Sequence, residues 1–172
     1  LLLCSALSAP FYIVLASEQA FDFSLLATFM ALSGLASLVS APIWGRLSDL
    51  SSRKVLVFAA MLVTLNGFAV YLVAYLSPQT LNEFWLLPLC YFLLTVAHQG
   101  VRLGRKTYLV DMAEGNKRTD YVSVSNTVIG VILLLLGSVG LLNTYLTTAE
   151  LIFFYSILGL LGAIGAWFLP DA

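Results

Sequence analysis

Two long apolar runs of this chain are separated by one short charged interruption, which reads Gly45-Arg46-Leu47-Ser48-Asp49-Leu50-Ser51-Ser52-Arg53-Lys54. The runs on either side cover residues 23–44 and 55–76. Each is long enough to cross a hydrocarbon core about 30 Å thick, which takes roughly 20 apolar residues. We therefore expect two membrane-spanning helices joined by a tight turn, with Gly45 ending the first helix. Arg53 and Lys54 would hold the start of the second helix at the polar interface.

The composition of the whole chain agrees with a membrane location. Apolar residues make up 60% of the 172 residues and charged residues only 10%, and the mean hydropathy is +0.97. A soluble domain typically carries about 25% charged residues to cover its surface. The chain could not cover itself in water, whereas lipid requires an apolar exterior. The sequence therefore excludes a soluble domain.

Four further apolar runs give six predicted spans in total. They cover residues 1–16, 23–44, 55–76, 84–101, 122–146 and 151–169. The first is short, and no initiator Met or basic segment precedes it, so we expect a first span that is truncated at its start. Short polar gaps separate the spans, without a Pro-rich linker. The predicted fold is an all-α transmembrane bundle that forms a single domain over residues 1–172.

Basic and acidic residues are unevenly distributed among the gaps between the predicted spans. All eight basic residues lie in the second and fourth gaps; they are Arg46, Arg53, Lys54, Arg102, Arg105, Lys106, Lys117 and Arg118. The first, third and fifth gaps hold only the acids Glu18, Asp22, Glu83 and Glu150. Basic loops are retained on the cytoplasmic side during insertion. The second and fourth gaps, and with them both ends of the chain, are therefore expected to face the cytoplasm.

The interruption at residues 45–54 resembles the signature loop of the major facilitator superfamily. That loop lies between the second and third spans of each six-helix half. It reads Gly, three variable residues, Asp, Arg, a variable residue, Gly, Arg, and then Lys or Arg. Gly45, Asp49, Arg53 and Lys54 match at the family's spacing, and Ser48 matches a small residue of the loop. Together with the spacing of the spans, the resemblance covers essentially the whole chain.

Two positions depart from the loop: Leu50 stands for the usual Arg and Ser52 for the usual Gly. In the family the loop is more degenerate in the second half, and a first half continues into a long basic linker. This chain ends at Ala172, close after its sixth span. We therefore expect spans seven to twelve of a twelve-span transporter, with the N-terminal six-helix half missing from the sequence.

The resemblance implies a function and a conformational switch. The function is secondary active transport of a small solute by alternating access in the plasma (inner) membrane, with proton or ion coupling left open. No enzyme activity, cofactor, metal or nucleic acid is expected; the partners are the solute, the lipid bilayer and the other half. Asp49 would pair with Arg102 and Arg105 as a clamp that closes in one conformation. The alternative is an ordinary basic cluster on the cytoplasmic side.

Polar residues inside spans are the candidates for the solute cavity. In the family, the first, second, fourth and fifth spans of a half line that cavity. The candidates on those spans are Tyr12, Tyr91, Thr95, His98, Gln99 and Asn126. For each of them, hydrogen bonding between helices is an equal alternative, and Asn66 on the third span is expected to bond only in that way. His98 is the one titratable candidate for proton coupling in the spans.

Two other functions use the same features. An intramembrane serine protease would need a nucleophile such as Ser33 with His98, but Ala31 stands where that pattern has Gly. A receptor or assembly partner that does not transport would keep the same helices. Cys4 and Cys90 lie in apolar runs and are expected to be small buried hydrophobes.

Overall fold

A computed structural model describes residue 2 and residues 5–19, 23–113 and 118–170, apart from the side chains of Ser5 and Phe23. Within these ranges the chain is helical and contains no strand. The six α-helices are α1 (Ser5–Gln19), α2 (Phe23–Leu50), α3 (Ser52–Leu76), α4 (Leu86–Met112), α5 (Arg118–Gly137) and α6 (Thr148–Trp167). Two 3-10 segments, Pro78–Asn82 and Ser138–Thr144, precede α4 and follow α5. The all-α prediction is confirmed.

The charged interruption is helical over most of its length. α2 continues through Gly45 to Leu50, and the break falls at Ser51 alone. Ser51 has extended backbone angles, and its hydroxyl accepts a hydrogen bond from the Lys54 amide, which caps α3. The prediction that Gly45 ends the first helix was therefore wrong. Residues 46–50 contain no helix breaker, whereas a serine favours the N-cap position by competing for backbone groups.

Helix α4 also runs further than predicted. The fourth span was expected to end at residue 101, but α4 continues to Met112, so most of the predicted fourth gap is helix. Five helices, α2 to α6, are long and apolar enough to cross a membrane, whereas α1 has only 15 residues. The predictions that involve Cys4, Asp22 and Lys117 lie outside the described residues.

Helices α3, α4 and α6 form the packed centre of the bundle. α3 packs along both α4 and α6, and α2 packs mainly on α4. The largest group of buried apolar residues joins α1 to these helices, with Tyr12, Leu94 and Ile152 at its centre. α5 differs, because none of its described residues is buried. The bundle therefore leaves α5 and much of α2 with exposed apolar faces.

The predicted gaps between spans lie at two opposite ends of the bundle. At one end the second and fourth gaps meet, since Ser52 donates a hydrogen bond to Asp111. The C-terminal segment reaches the same end, where Arg53 Nη1 donates to the Leu169 carbonyl over 2.9 Å. At the other end, Thr148 of α6 donates to the carboxylate of Glu18 of α1. The basic gaps therefore share one end, as the charge pattern predicted; the cytoplasmic orientation of that end stays a prediction.

Candidate functional site

Helix α4 has three faces with different surroundings. One face is core, with Leu94, Ala97 and Val101 almost fully buried. A second face carries Gln99 and Thr107, which bond to α2. The third face we call the polar stripe of α4; it consists of Tyr91, Thr95, His98, Arg102 and Arg105. Their spacing of three or four residues places them on one side of a helix. A polar line thus runs through most of a span.

Two of the predicted cavity residues make contacts between α2 and α4. Gln99 is half-buried, and its Nε2 donates to Ser37 Oγ over 3.1 Å. The ring of Tyr91 packs edge-on against Phe29, with 4.7 Å between ring centroids. Thr95 is half-buried and donates only to the Tyr91 carbonyl one turn earlier. Gln99 therefore serves helix packing, while Tyr91 and Thr95 keep part of their surface outside the core.

Tyr12 lies in the interior of the bundle. Its side chain is 1% exposed, and its hydroxyl accepts a hydrogen bond of 3.1 Å from Asn66 Nδ2. Asn66 Nδ2 also donates to the Cys90 carbonyl over 2.9 Å. The prediction of a helix-to-helix bond for Asn66 is confirmed. Tyr12 takes part in the same bond, which links α1, α3 and α4, and so follows the packing alternative that the sequence left open.

A pair of hydroxyl hydrogen bonds joins the α2–α3 junction to α4. Ser48 Oγ donates to Thr107 Oγ1 over 2.8 Å, and Ser52 Oγ donates to Asp111 Oδ2 over 2.7 Å. Both serines are buried. Thr107 and Asp111 lie one turn apart on α4, whereas Ser48 near the end of α2 and Ser52 at the start of α3 lie on either side of the break at Ser51. We call this pair the hydroxyl ladder.

In this structure Asp49 is not paired with the two arginines proposed for the clamp. Asp49 is exposed near the end of α2, and Arg102 is exposed on α4. Arg105 is half-buried, and its Nη1 donates to Asn126 Oδ1 of α5 over 3.1 Å. Within the described ranges, no hydrogen bond joins Asp49 to either arginine. The polar stripe of α4 faces α5 at this level, whereas Asp49 borders the ladder on the α2 side.

A polar crevice of about 650 Å³ opens beside the ladder at the basic end. Asp49, Asp111 and Arg118 contribute the charged groups of its lining. Of the remaining signature residues, Gly45 is half-buried inside α2 and Lys54 is exposed at the start of α3. The signature segment thus forms one wall of a crevice between α2, α3 and α4.

Sequence reasoning missed the acceptors of the ladder and one indole contact. Thr107 was not singled out, and Asp111 was not matched with Ser52. The shared spacing of four residues in Ser48 and Ser52 and in Thr107 and Asp111 was the available signal. Trp44, at the end of the second predicted span, is buried. Its Nε1 donates to the Val96 carbonyl over 2.8 Å.

Ser33, the nucleophile of the protease alternative, lies within α2. The Ser33 carbonyl accepts a hydrogen bond from Ser37 one turn later in α2, which is an ordinary helix interaction. No three His, Cys, Asp or Glu side chains among the residues described come close enough to hold a metal ion.

Comparison with known proteins agrees with this architecture. A family model described as Major Facilitator Superfamily matches residues 1–172. Comparisons with curated proteins and with solved structures yield no match. The family match extends over every helix described above, including the signature segment and the polar stripe of α4. The chain therefore belongs to the major facilitator superfamily, a family of membrane transporters.

Proposed function

We propose that this chain is one six-helix half of a secondary transporter, which moves a small solute by alternating access. A second half would face it, and the two would rock about a site near the middle of the bilayer. The polar stripe of α4 carries this proposal. Polar groups at membrane depth are costly unless they meet a partner or a water-filled cavity. A stripe that continues over four turns is therefore better suited to a cavity wall than to a lipid-facing surface.

The neighbours of the stripe support the same role. α2 and α5 flank α4 and are the least buried spans of the half-bundle, whereas α3 and α6 pack closely together. Exposed apolar faces on either side of a polar stripe suit a surface that a second half-bundle covers. Tyr91, Thr95 and His98 would then reach the cavity, with Asn126 near its basic end. Tyr12 and Gln99 would support the wall through their hydrogen bonds.

The clamp belongs to the proposed conformational cycle. The proposed clamp consists of Asp49, Arg102 and Arg105, and all three lie toward the basic end. In the described conformation the hydroxyl ladder ties this junction together, and Arg105 is engaged with Asn126. We propose that Asp49 pairs with these arginines in the other conformation. Such an exchange of polar contacts would distinguish the two conformations of the transport cycle.

Cysteine labelling tests the cavity without knowledge of the solute. In whole protein freed of native cysteines, Thr95→Cys and His98→Cys are expected to react with a charged maleimide at least tenfold faster than Leu94→Cys. The reason is that maleimides react with the thiolate, which requires water, and Leu94 is only 1% exposed. Labelling rates in membrane vesicles provide the measurement.

The matched control is Phe58→Cys on α3. Phe58 is 60% exposed in the half-bundle, but it lies on a helix that is expected to face lipid. Phe58→Cys should therefore label as slowly as Leu94→Cys. Equal labelling of Phe58→Cys and Thr95→Cys, or slow labelling of Thr95→Cys itself, would contradict a water-filled cavity along the stripe.

Proton coupling through this half makes a separate prediction. No Asp or Glu lies in the middle of a predicted span, so His98 is the titratable group available for it here. If His98 carries the proton, His98→Ala should abolish the stimulation of solute flux by an imposed pH gradient. The same measurement on Thr95→Ala is the control, since a general defect would lower flux at every pH. Unchanged pH dependence in His98→Ala would exclude this role.

A further inference from the structure

An apolar cavity separates α5 from α6 on the side where Arg105 lies. Its volume is about 330 Å³, and α3, α4, α5, α6 and Leu2 contribute to its walls. Among the described residues of the lining Arg105 is the only charged one, and the others are almost wholly apolar. This volume is within the range of cavities that hold small molecules in proteins. The cavity is separate from the polar crevice beside the hydroxyl ladder.

The apolar walls restrict what can occupy the cavity. A void lined by aliphatic side chains stays dry, because water would find no hydrogen-bond partners there. An empty void also loses the dispersion contacts that close packing would provide. In a bilayer, the acyl chains of the surrounding lipids are available to fill such a cavity. α5 has no buried residue and packs loosely against its neighbours, so a chain could enter from the lipid beside it.

Arg105 adds a charge requirement at one end of the cavity. Its Nε atom is buried and has no hydrogen-bond partner among the described residues, while its Nη1 donates to Asn126. A buried donor without a partner is costly. A guanidinium group offers further donors in a fork that fits a phosphate. The exposed Arg102 and Lys106 increase the positive charge at the same end.

We propose that this cavity binds one acyl chain of an anionic phospholipid, whose phosphate is held by Arg105. The aliphatic walls account for the chain, and the unpartnered Nε accounts for the phosphate. Anionic lipids are abundant on the side of the membrane where basic loops collect, which places the headgroup at the level of Arg105. Arg105 belongs both to the polar stripe of α4 and to the lining of this cavity, and the proposal concerns a bound lipid, not the transported solute.

Lipid retention by the purified whole protein tests the proposal. Delipidated protein is incubated with dioleoyl phosphatidylglycerol or dioleoyl phosphatidylcholine, and the bound lipid is counted by native mass spectrometry. We expect about fivefold stronger retention of phosphatidylglycerol, as for one basic residue near a lipid surface. Arg105→Gln should abolish this preference, and Arg105→Lys should keep part of it. Inorganic phosphate should not displace the lipid, because it lacks the acyl chain.

A second variant tests the cavity itself. Gly165 lines the cavity, and a Cβ atom added there would meet no atom within 4 Å. Gly165→Leu should therefore fill the space without a clash and lower the retention of both lipids. Gly130→Leu is the matched control, since Gly130 on α5 has equally open space and does not line the cavity.

Three outcomes would overturn the proposal. The first is equal retention of the two lipids by the unmodified protein. The second is a preference for phosphatidylglycerol that survives in Arg105→Gln. The third is unchanged retention in Gly165→Leu, which would mean that the retained lipid lies outside the cavity. Melting temperatures of all variants, measured in parallel, separate loss of the site from loss of the fold.

Discussion

Replacing Gly100 with leucine is expected to lower the melting temperature of the protein by about 5 °C or more. Gly100 is buried on α4 where α2 and α3 cross it, and the indole of Trp44 lies against its backbone. A Cβ atom there would come within 2.6 Å of Trp44 Cε2 and 2.9 Å of the Ala59 Cβ. Overpacking of this kind costs about 1–3 kcal/mol, and 1 kcal/mol corresponds to about 2–4 °C in a chain of this size.

The cause of the loss would be the tight contact of three helices. Trp44 cannot move aside cheaply, because its Nε1 donates to the Val96 carbonyl. Small residues allow helices to approach closely in membranes, where packing provides most of the association energy. Gly100→Ala should already lower the melting temperature, since the Cβ atom alone makes the clash.

Thermal unfolding with a thiol-reactive dye measures this effect. Cys90 is a half-buried free cysteine and reacts with the dye as the bundle opens. Gly130→Leu is again the matched control, because it makes the same substitution on a helix at a position with no atom within 4 Å. If Gly100→Leu and Gly130→Leu melt at the same temperature, the described crossing of α2, α3 and α4 is wrong.

Replacing Asp49 with alanine is expected to slow solute flux about tenfold or more while the protein still inserts. Asp49 is exposed on α2 and takes no part in the hydroxyl ladder, so its removal should cost little stability. The proposed clamp needs its carboxylate in the opposite conformation. A tenfold change corresponds to about 1.4 kcal/mol in a barrier, which is within reach of one lost charge-assisted hydrogen bond.

Flux in membrane vesicles and the labelling of Thr95→Cys together provide the measurement. Loss of the clamp should also change the ratio of labelling from the two sides of the membrane, since one conformation is destabilised. Asp120→Ala is the control, because Asp120 is an exposed acid in the first turn of α5. Normal flux in Asp49→Ala would contradict the clamp, and an equal loss in Asp120→Ala would indicate a general effect of charge.

The number of apolar spans and the end at which each loop lies could be predicted from sequence, because both depend on properties averaged over many residues. Apolar runs of about 20 residues have few other stable environments, and a basic cluster constrains the side of a loop regardless of its detailed shape. The signature residues at positions 45–54 added the family. These features are local in sequence, and the conclusions drawn from them hold although the predicted helix ends were wrong by several residues. The role of Asn66 was also predictable, since a lone amide in lipid requires a partner.

The helix ends were less predictable. Gly45 is typical of a helix terminus, yet α2 continues to Leu50 because nothing in residues 46–50 interrupts it. Charged residues at positions 102–111 suggested a loop, but α4 continues through them at the basic end. Charge marks where a helix leaves the hydrocarbon, and a helix can continue into the polar region without penalty.

The sequence by itself determined the membrane class, the number of apolar segments, the sorting of charge between the two ends and the family. The tertiary structure decided which polar groups meet. The pairing of Ser48 with Thr107 and of Tyr12 with Asn66 spans more than fifty residues, and so does that of Ser52 with Asp111. It depends on how helices are rotated against their neighbours. That rotation is set by side-chain packing over the whole interface, and neither composition nor motif spacing records it.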